Sequence, residues 1–297
     1  MLKNNNNQLH YHLMLLPGMV IVLLFSILPM VGIVIAFQDF NPGRGLFQSE
    51  WVGYDNFRYM FELPEIKQVL MNTVSIAIMK IIGNMIFPLM FALMLHETVF
   101  LRIKRWVQTI VYLPHFLSWV ILSGILLEIF SYRGVVNQFI GWFGFEPILF
   151  ISSNSWFRPI LVGSDIWKEF GFGTIIYLAA LTGINPALYE AAELDGASRW
   201  QRLRYITMPG ITTTIILLAT LSLGNVLNAG FDQIFNMYNA RVYDSADIID
   251  TYVFRAGINN LQYGFATAVG LLKSVVSFVL IIMSYVLASR LANYRIF

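Results

Sequence analysis

The chain has 297 residues, 57% hydrophobic and 12% charged, whereas a soluble globular domain carries about 45–50% apolar and about 25% charged residues. So many apolar side chains, 24 Phe, 14 Tyr and 7 Trp among them, need lipid as solvent for much of the surface, which argues against a soluble enzyme and against a disordered chain. A formal net charge of +2 and no cysteine leave no footprint for nucleic acid, no disulfide framework, no thiolate metal site and no cysteine nucleophile.

A hydrocarbon core of about 30 Å takes about 20 helical residues, and six windows reach that length: 13–38, 69–95, 106–131, 159–182, 211–237 and 265–290. Residues 1–12 read as a cytoplasmic tail in which Asn4–Asn7 form a disordered tip. The first window is too long and too poor in small-residue cleavage sites for a removable signal peptide, so it reads as a retained anchor bent by Pro17 and Pro29. Residues 39–68, with Trp51, Tyr54, Phe57, Tyr59 and Phe61 among charges, suit short helices at the headgroup level. Residues 134–150, with Val135, Phe139, Trp142 and Phe143 around Gly141 and Gly144, read the same way. No repeat with a period of about 20–50 residues is present. With the N-terminus inside, the inner segments hold nine Lys or Arg in 57 positions, Arg290 being counted at the boundary, and the outer segments hold seven in 84. That asymmetry favours N-in and C-in.

The one long inner loop, 183–210, carries signals for a fold of its own. Asn185 before Pro186 is an N-cap with proline at the first helical position, and Ala187–Leu194 are good helix formers apart from Tyr189. Gly196 stops that helix at positive φ. Ser198-x-x-Gln201 is a capping box that starts a second helix, which Arg199, Trp200, Arg202 and Arg204 extend until Pro209 ends it. An ordinary amphipathic loop satisfies the same signals.

The spacing Glu190-Ala191-Ala192, three residues, Gly196, nine residues, Ile206-Thr207-Met208-Pro209 closely resembles the signature loop of the permease subunits of binding-protein-dependent ABC importers. That pattern has Leu where Met208 stands, a swap that keeps volume and apolarity. The resemblance implies an all-α integral membrane protein with the type I ABC importer fold and six transmembrane helices, in which this loop is the coupling helix that seats in a groove of an ATPase subunit. On that reading Ala191 and Ala192 let the helix sit deep, Glu190 pairs with a basic ATPase residue, and Gly196 sets the angle between the two helices. Asp195, Ala197, Ile206 and Pro209 complete the coupling set. The chain has no G-x-x-x-x-G-K-[ST] phosphate cradle, so ATP and Mg belong to the partner ATPase subunits and this chain binds no cofactor.

The resemblance extends through Leu16-Pro17-Gly18, Phe37–Pro42, Trp51–Phe57, Gly230–Asn236, Tyr263–Leu271 and Lys273–Val275. It points to carbohydrate permeases, in particular the LplB/YteP-like permeases for oligosaccharides released from polysaccharides. Tyr238-Asn239-Ala240 stands where many sugar permeases carry Gly-Gly-Pro, which argues against a maltose or glycerol-phosphate type. The implied partners are a second homologous permease, two cytoplasmic ATPase subunits and an extracytoplasmic sugar-binding lipoprotein, all at a bacterial plasma membrane. The subgroup suggests a pectin-derived, uronate-containing cargo.

Ionisable residues within spans usually face a bundle interior or a water-filled path, and here they are Lys80, Glu128, Asp165, Lys168, Glu169, Asp232 and Lys273. Asp165, Lys168 and Glu169 share one helix face and can simply pair. Glu128 and Asp165 can also lie near helix ends in water. Asn225, Asn228 and Asp232, at offsets of three and four, form a polar stripe that suits either a sugar or interhelical hydrogen bonding. Trp167, Tyr177 and Gln233 join Lys168, Glu169 and Lys273 as substrate-path candidates. His10, His12, His96 and His115 are scattered, with no zinc-binding pair and no catalytic constellation. The rival readings are an ion-coupled secondary transporter, an intramembrane enzyme on lipid-linked sugar, and an ABC permease for another cargo.

Overall fold

The computed structural model describes residues 5–98 and 100–291, with side chains described for 11–98 and 100–286. Helix α1 (Asn5–Val22) runs on through a π-turn (Leu23–Ile27) and 3₁₀ turns (Leu28–Phe37). Strand β1 (Gln38–Asp39), α2 (Gly45–Gln48), strand β2 (Glu50–Trp51) and α3 (Asp55–Glu62) follow. Next come α4 (Pro64–His96), α5 (Leu101–Tyr112), α6 (Trp119–Ile129), α7 (Val135–Trp142) and α8 (Asn154–Thr182). The loop 183–210 supplies α9 (Pro186–Leu194) and α10 (Arg199–Arg202), which leads into α11 (Met208–Leu223). The chain continues with α12 (Phe231–Met237), α13 (Tyr243–Ala246), α14 (Ile249–Phe254) and α15 (Tyr263–Leu291).

Four stretches are long and apolar enough to cross a bilayer: Tyr11–Phe37, Pro64–His96, Arg199–Leu223 and Tyr263–Val286. Two bent pairs, Leu101–Phe116 with Trp119–Ile129 and Asn154–Thr182 with Pro186–Leu194, raise the number to six if each is one span.

Several expectations are corrected. The third window is not one helix: it turns by 102° between Phe116 and Trp119. Pro114, which has no N–H, occupies a 3₁₀ turn, and Ser118 caps the restart by accepting from the Ile121 N–H. The fifth window opens after Leu223 and restarts at Phe231, with Gly230 at φ 96°. Pro209 does not end a helix either. A π-turn over Leu203–Thr207, in which the Met208 N–H bonds the Leu203 carbonyl, precedes it, and the proline then lies in the first turn of α11. The wider turn gives the proline ring the room that an α-helical carbonyl four residues back denies it. Pro29 follows the Leu23–Ile27 π-turn in the same way. Asn5–Asn7 are helical rather than a disordered tip, while Asn4, Lys3 and Arg295 lie outside the described residues.

The chain divides into two compact units, Met1–Leu63 with Val253–Leu272 and Pro64–Tyr252 with Lys273–Phe297. In the first, β1 and β2 pair antiparallel, Gln38 opposite Trp51 and Asp39 opposite Glu50. Phe37 stacks on Trp51 with ring centroids 5.7 Å apart and meets Tyr54 and Phe57 at 5.7 and 5.3 Å. The Asn56 amide donates to the Ala36 and Gln38 carbonyls at 3.0 and 3.1 Å, satisfying the end of the first span. Gly264 lies so close that a Cβ there would stand 2.2 Å from the Gln38 oxygen. The short helices expected in 39–68 are present as α2 and α3; the strand pair was not foreseen.

The second unit is centred on α4 and α8. Ile76 and Ala77 pack with Leu122, Leu126, Phe157, Leu161 and Ile234 in one cluster, and Ala92, Tyr177, Leu181 and Ile211 form another. Asn72, fully buried, donates to the Asp244 and Asp247 carbonyls at 3.1 and 3.2 Å and accepts from Arg158 at 2.7 Å, fastening residues 243–247 to α4 and α8.

Replacing Gly264 by Ala should lower stability by about 1–3 kcal/mol, read as a lower unfolding temperature of the purified protein in detergent. Gly270→Ala on the same helix has no atom within 4 Å of the new Cβ and should be close to neutral.

Candidate functional site

The loop 183–210 folds as its capping signals require. The Asn185 side chain accepts from the Ala187 N–H at 3.0 Å, with Pro186 opening α9. Gly196 takes φ 73°, a left-handed value that any Cβ would oppose. Both arms of the capping box form, Gln201 N–H to Ser198 Oγ at 3.3 Å and Ser198 N–H to Gln201 Oε1 at 2.7 Å. The Tyr189 hydroxyl bonds the buried Thr207 hydroxyl at 2.9 Å and ties α9 to the base of α11. Glu190, Ala191, Asp195, Gly196 and Pro209 are exposed, while Ala192, Ala197 and Ile206 are half-buried. Leu188 and Leu194 are exposed on α9, Leu194 at 89%, and Trp200 is exposed on α10. The loop is thus a rigid two-helix projection with an apolar outer surface.

A second constellation lies deep in the same unit. Lys80 Nζ donates to Asp165 Oδ1 at 3.0 Å, to the Ala229 carbonyl at 2.7 Å and to Gln233 Oε1 at 2.5 Å. Asn84 donates to the other Asp165 oxygen at 2.9 Å. Gln233, fully buried, sends its amide to the Leu161 carbonyl at 2.8 Å and to Ser164 Oγ at 2.9 Å. A Cβ on Gly230 would stand 2.8 Å from Lys80 Nζ. The network therefore fastens the opening between α11 and α12 to α4 and α8. Asp165 is here a half-buried ion-pair partner rather than a carboxylate in water, and Gln233 is a structural strut rather than a path residue. Tyr177, 2% exposed, likewise packs in the core beside Ala92 rather than on an open path.

The remaining candidates are more open, except Lys168, which is buried. Lys168 pairs with Glu169 at 2.8 Å and donates to the His115 carbonyl at 2.8 Å, while Asp165 turns away to Lys80. His115 Nδ1 lies 2.7 Å from Glu169 Oε2, and its ring stacks on Phe172 at 4.0 Å. Lys168 also sits 5.5 Å from the centroid of the Trp119 ring. These groups gather at the bend between α5 and α6, and the lone-histidine reading missed His115 because only the bend brings it to Glu169. Asn225, Asn228 and Asp232 are exposed around the opening, though not as a helical stripe. Lys273 donates to Asn228 at 3.1 Å and to Asp250 at 2.5 Å. Trp167 is 47% exposed beside an apolar cavity of about 570 Å³ lined by Leu126, Phe150 and Trp156. Glu128 is exposed near the end of α6, as the helix-end reading allows.

Residues 84–293 match the family described as binding-protein-dependent transport system inner membrane component. The chain is 42% identical to protein LplB of Bacillus subtilis (strain 168) over 96% of this chain and 90% of that protein. It is 41% identical to the polygalacturonan/rhamnogalacturonan transport system permease protein YteP of the same organism, over 98% of this chain and 91% of that protein. It also superposes on a subunit of a bacterial alginate ABC transporter, solved in complex with an alginate pentasaccharide-bound periplasmic protein. That match has a TM-score of 0.90 and 36% identity, and covers 98% of both chains.

Lys80→Met should destabilise the protein by about 3–5 kcal/mol, because it leaves the half-buried Asp165 carboxylate without its cation and the buried Gln233 and Ala229 oxygens without their donor. Lys80→Met combined with Asp165→Leu should recover much of that loss, measured as unfolding temperatures across the double-mutant cycle.

Proposed function

The chain belongs to the family of binding-protein-dependent transport system inner membrane components, and from that membership we propose that it is the permease subunit through which an ATP-driven importer passes acidic oligosaccharides, pectin-derived uronates among them. Members of this family are transport components of the membrane and not enzymes, and they work with a substrate-binding protein. The observation that carries the mechanism is the capped, outward-facing loop of α9 and α10. Docked in a groove of a cytoplasmic ATPase subunit, α9 buries Leu188 and Leu194 and offers Glu190 to a basic residue. Two such subunits hold ATP and Mg, a second homologous permease completes the path, and an extracytoplasmic sugar-binding lipoprotein delivers the cargo. Both termini, the tail 1–12 and the loop 183–210 are cytoplasmic, and the binding protein meets 39–68, 132–158 and 238–264.

Movement of the loop has a continuous rod to act on. From Arg199 to Leu223 the helix is unbroken in course, so displacement at α9 and α10 arrives beside Asn225, Asn228 and Asp232, where the helix opens. These residues, with Lys168, Glu169, Trp167 and Lys273, are the proposed substrate path; amide and carboxylate groups match sugar hydroxyls, and the exposed Phe116 and Phe172 rings match the C–H faces. The cargo reading is supported by YteP, named for polygalacturonan and rhamnogalacturonan, and by the alginate transporter, whose cargo is an acidic polysaccharide.

Gly196→Val, which forces a branched side chain to positive φ, and Glu190→Ala should each lower the ratio of sugar imported to ATP hydrolysed at least tenfold in proteoliposomes holding the whole importer. Binding protein loaded with acidic oligosaccharide should stimulate the ATPase of that complex. Stimulation by neutral oligosaccharides alone contradicts the cargo.

A further inference from the structure

Helix α5 turns one face to the protein and leaves the other bare. Lys104, Val107, Gln108 and Val111 are half-buried, while Ile103, Trp106, Ile110 and, at the start of the 3₁₀ turn that follows, Leu113 are 56%, 71%, 65% and 63% exposed. Those four positions follow spacings of three and four, so they form one apolar stripe. At its start stand Arg102 and Arg105, both exposed, with Lys104 beside them. Among the described residues, no carboxylate lies within 4.0 Å of any of these three cations. From Ile103 to Leu113 the stripe rises about 15 Å at about 1.5 Å per residue, half of a hydrocarbon core of about 30 Å. It ends just before the bend that breaks the span.

We infer that the arginine end of α5 binds the headgroup of an anionic phospholipid of the inner leaflet, with the acyl chains lying along Ile103, Trp106, Ile110 and Leu113. The inference rests on the cytoplasmic placement of this end proposed above. Three unpaired cations within one turn repel one another, and an anion relieves that repulsion. An aromatic side chain at the level where charge gives way to an apolar stripe is the arrangement of the membrane interface. A soluble subunit with an acidic surface answers the arginines but leaves Ile110 and Leu113 uncovered, whereas one leaflet of lipid covers both parts of the surface.

The test uses the assembled importer in nanodiscs of phosphatidylcholine with one quarter phosphatidylglycerol, with retained lipids counted by native mass spectrometry. The wild type should keep phosphatidylglycerol in excess over its share. Arg102→Gln with Arg105→Gln should weaken that preference about thirty-fold, the factor for two basic side chains at a membrane surface, while the double Lys variant keeps it. An unchanged preference in the Gln variant, or loss of the ATPase subunits with the lipid retained, overturns the site. Since the chain has no cysteine, Glu97→Cys provides one label for sidedness. Labelling from the outside overturns the orientation, whereas cytoplasmic labelling with no lipid preference overturns the lipid site alone.

Discussion

A buried ammonium organises the membrane-spanning part of the second unit. Taking an ion out of water costs several kcal/mol even after relaxation, and a lysine has three N–H donors to satisfy. Lys80 meets three acceptors, the Asp165 carboxylate, the Gln233 side-chain oxygen and the Ala229 carbonyl. In an uninterrupted helix the Ala229 carbonyl would accept from the backbone four residues on. The open stretch after Leu223 frees it, and Gly230 leaves room for the ammonium. The break and the buried lysine therefore require each other.

That constraint shapes the proposed mechanism. The rod that begins in the proposed coupling loop stops where its far side is held by Lys80 and Gln233, so a push at one end is resisted at the other by a fixed polar anchor. Proline does not interrupt the rod, because the π-turn over Leu203–Thr207 absorbs Pro209. The loop is equally stiff: its two caps, the Gly196 turn and the Tyr189–Thr207 bond leave little freedom to dissipate a displacement. A stiff projection, a continuous rod and an anchored opening are the parts that alternating access needs.

What the sequence disclosed was local. Asn185, Pro186, Gly196, Ser198 and Gln201 act on backbone groups within a few residues, so the loop was legible almost to the bond. Six apolar windows likewise marked where spans lie. The interruption at 117–118 escaped because apolarity continues across it, and the one at 224–230 because what opens it is a lysine 149 residues away from the carbonyl it needs. For the same reason Gln233 and Tyr177 looked like path residues and are packing residues. His115 looked idle and meets Glu169, and Asp165 leaves its helix neighbour Lys168 for Lys80. The motif Trp51–Phe57 marked a resemblance without a role; its aromatic rings and Asn56 close the end of the first span.

Docking of the ATPase on α9 can be measured directly, because the chain has no cysteine. A single cysteine replacing Leu194, which is 89% exposed on α9, is paired with cysteines across the face of the ATPase subunit in the assembled importer and oxidised. A disulfide should form with one cluster of positions in a groove of that subunit, and import should stop when the bond forms and resume on reduction. An ATPase subunit that copurifies and drives import, yet forms no bond to position 194 from any site on its surface, contradicts docking on α9.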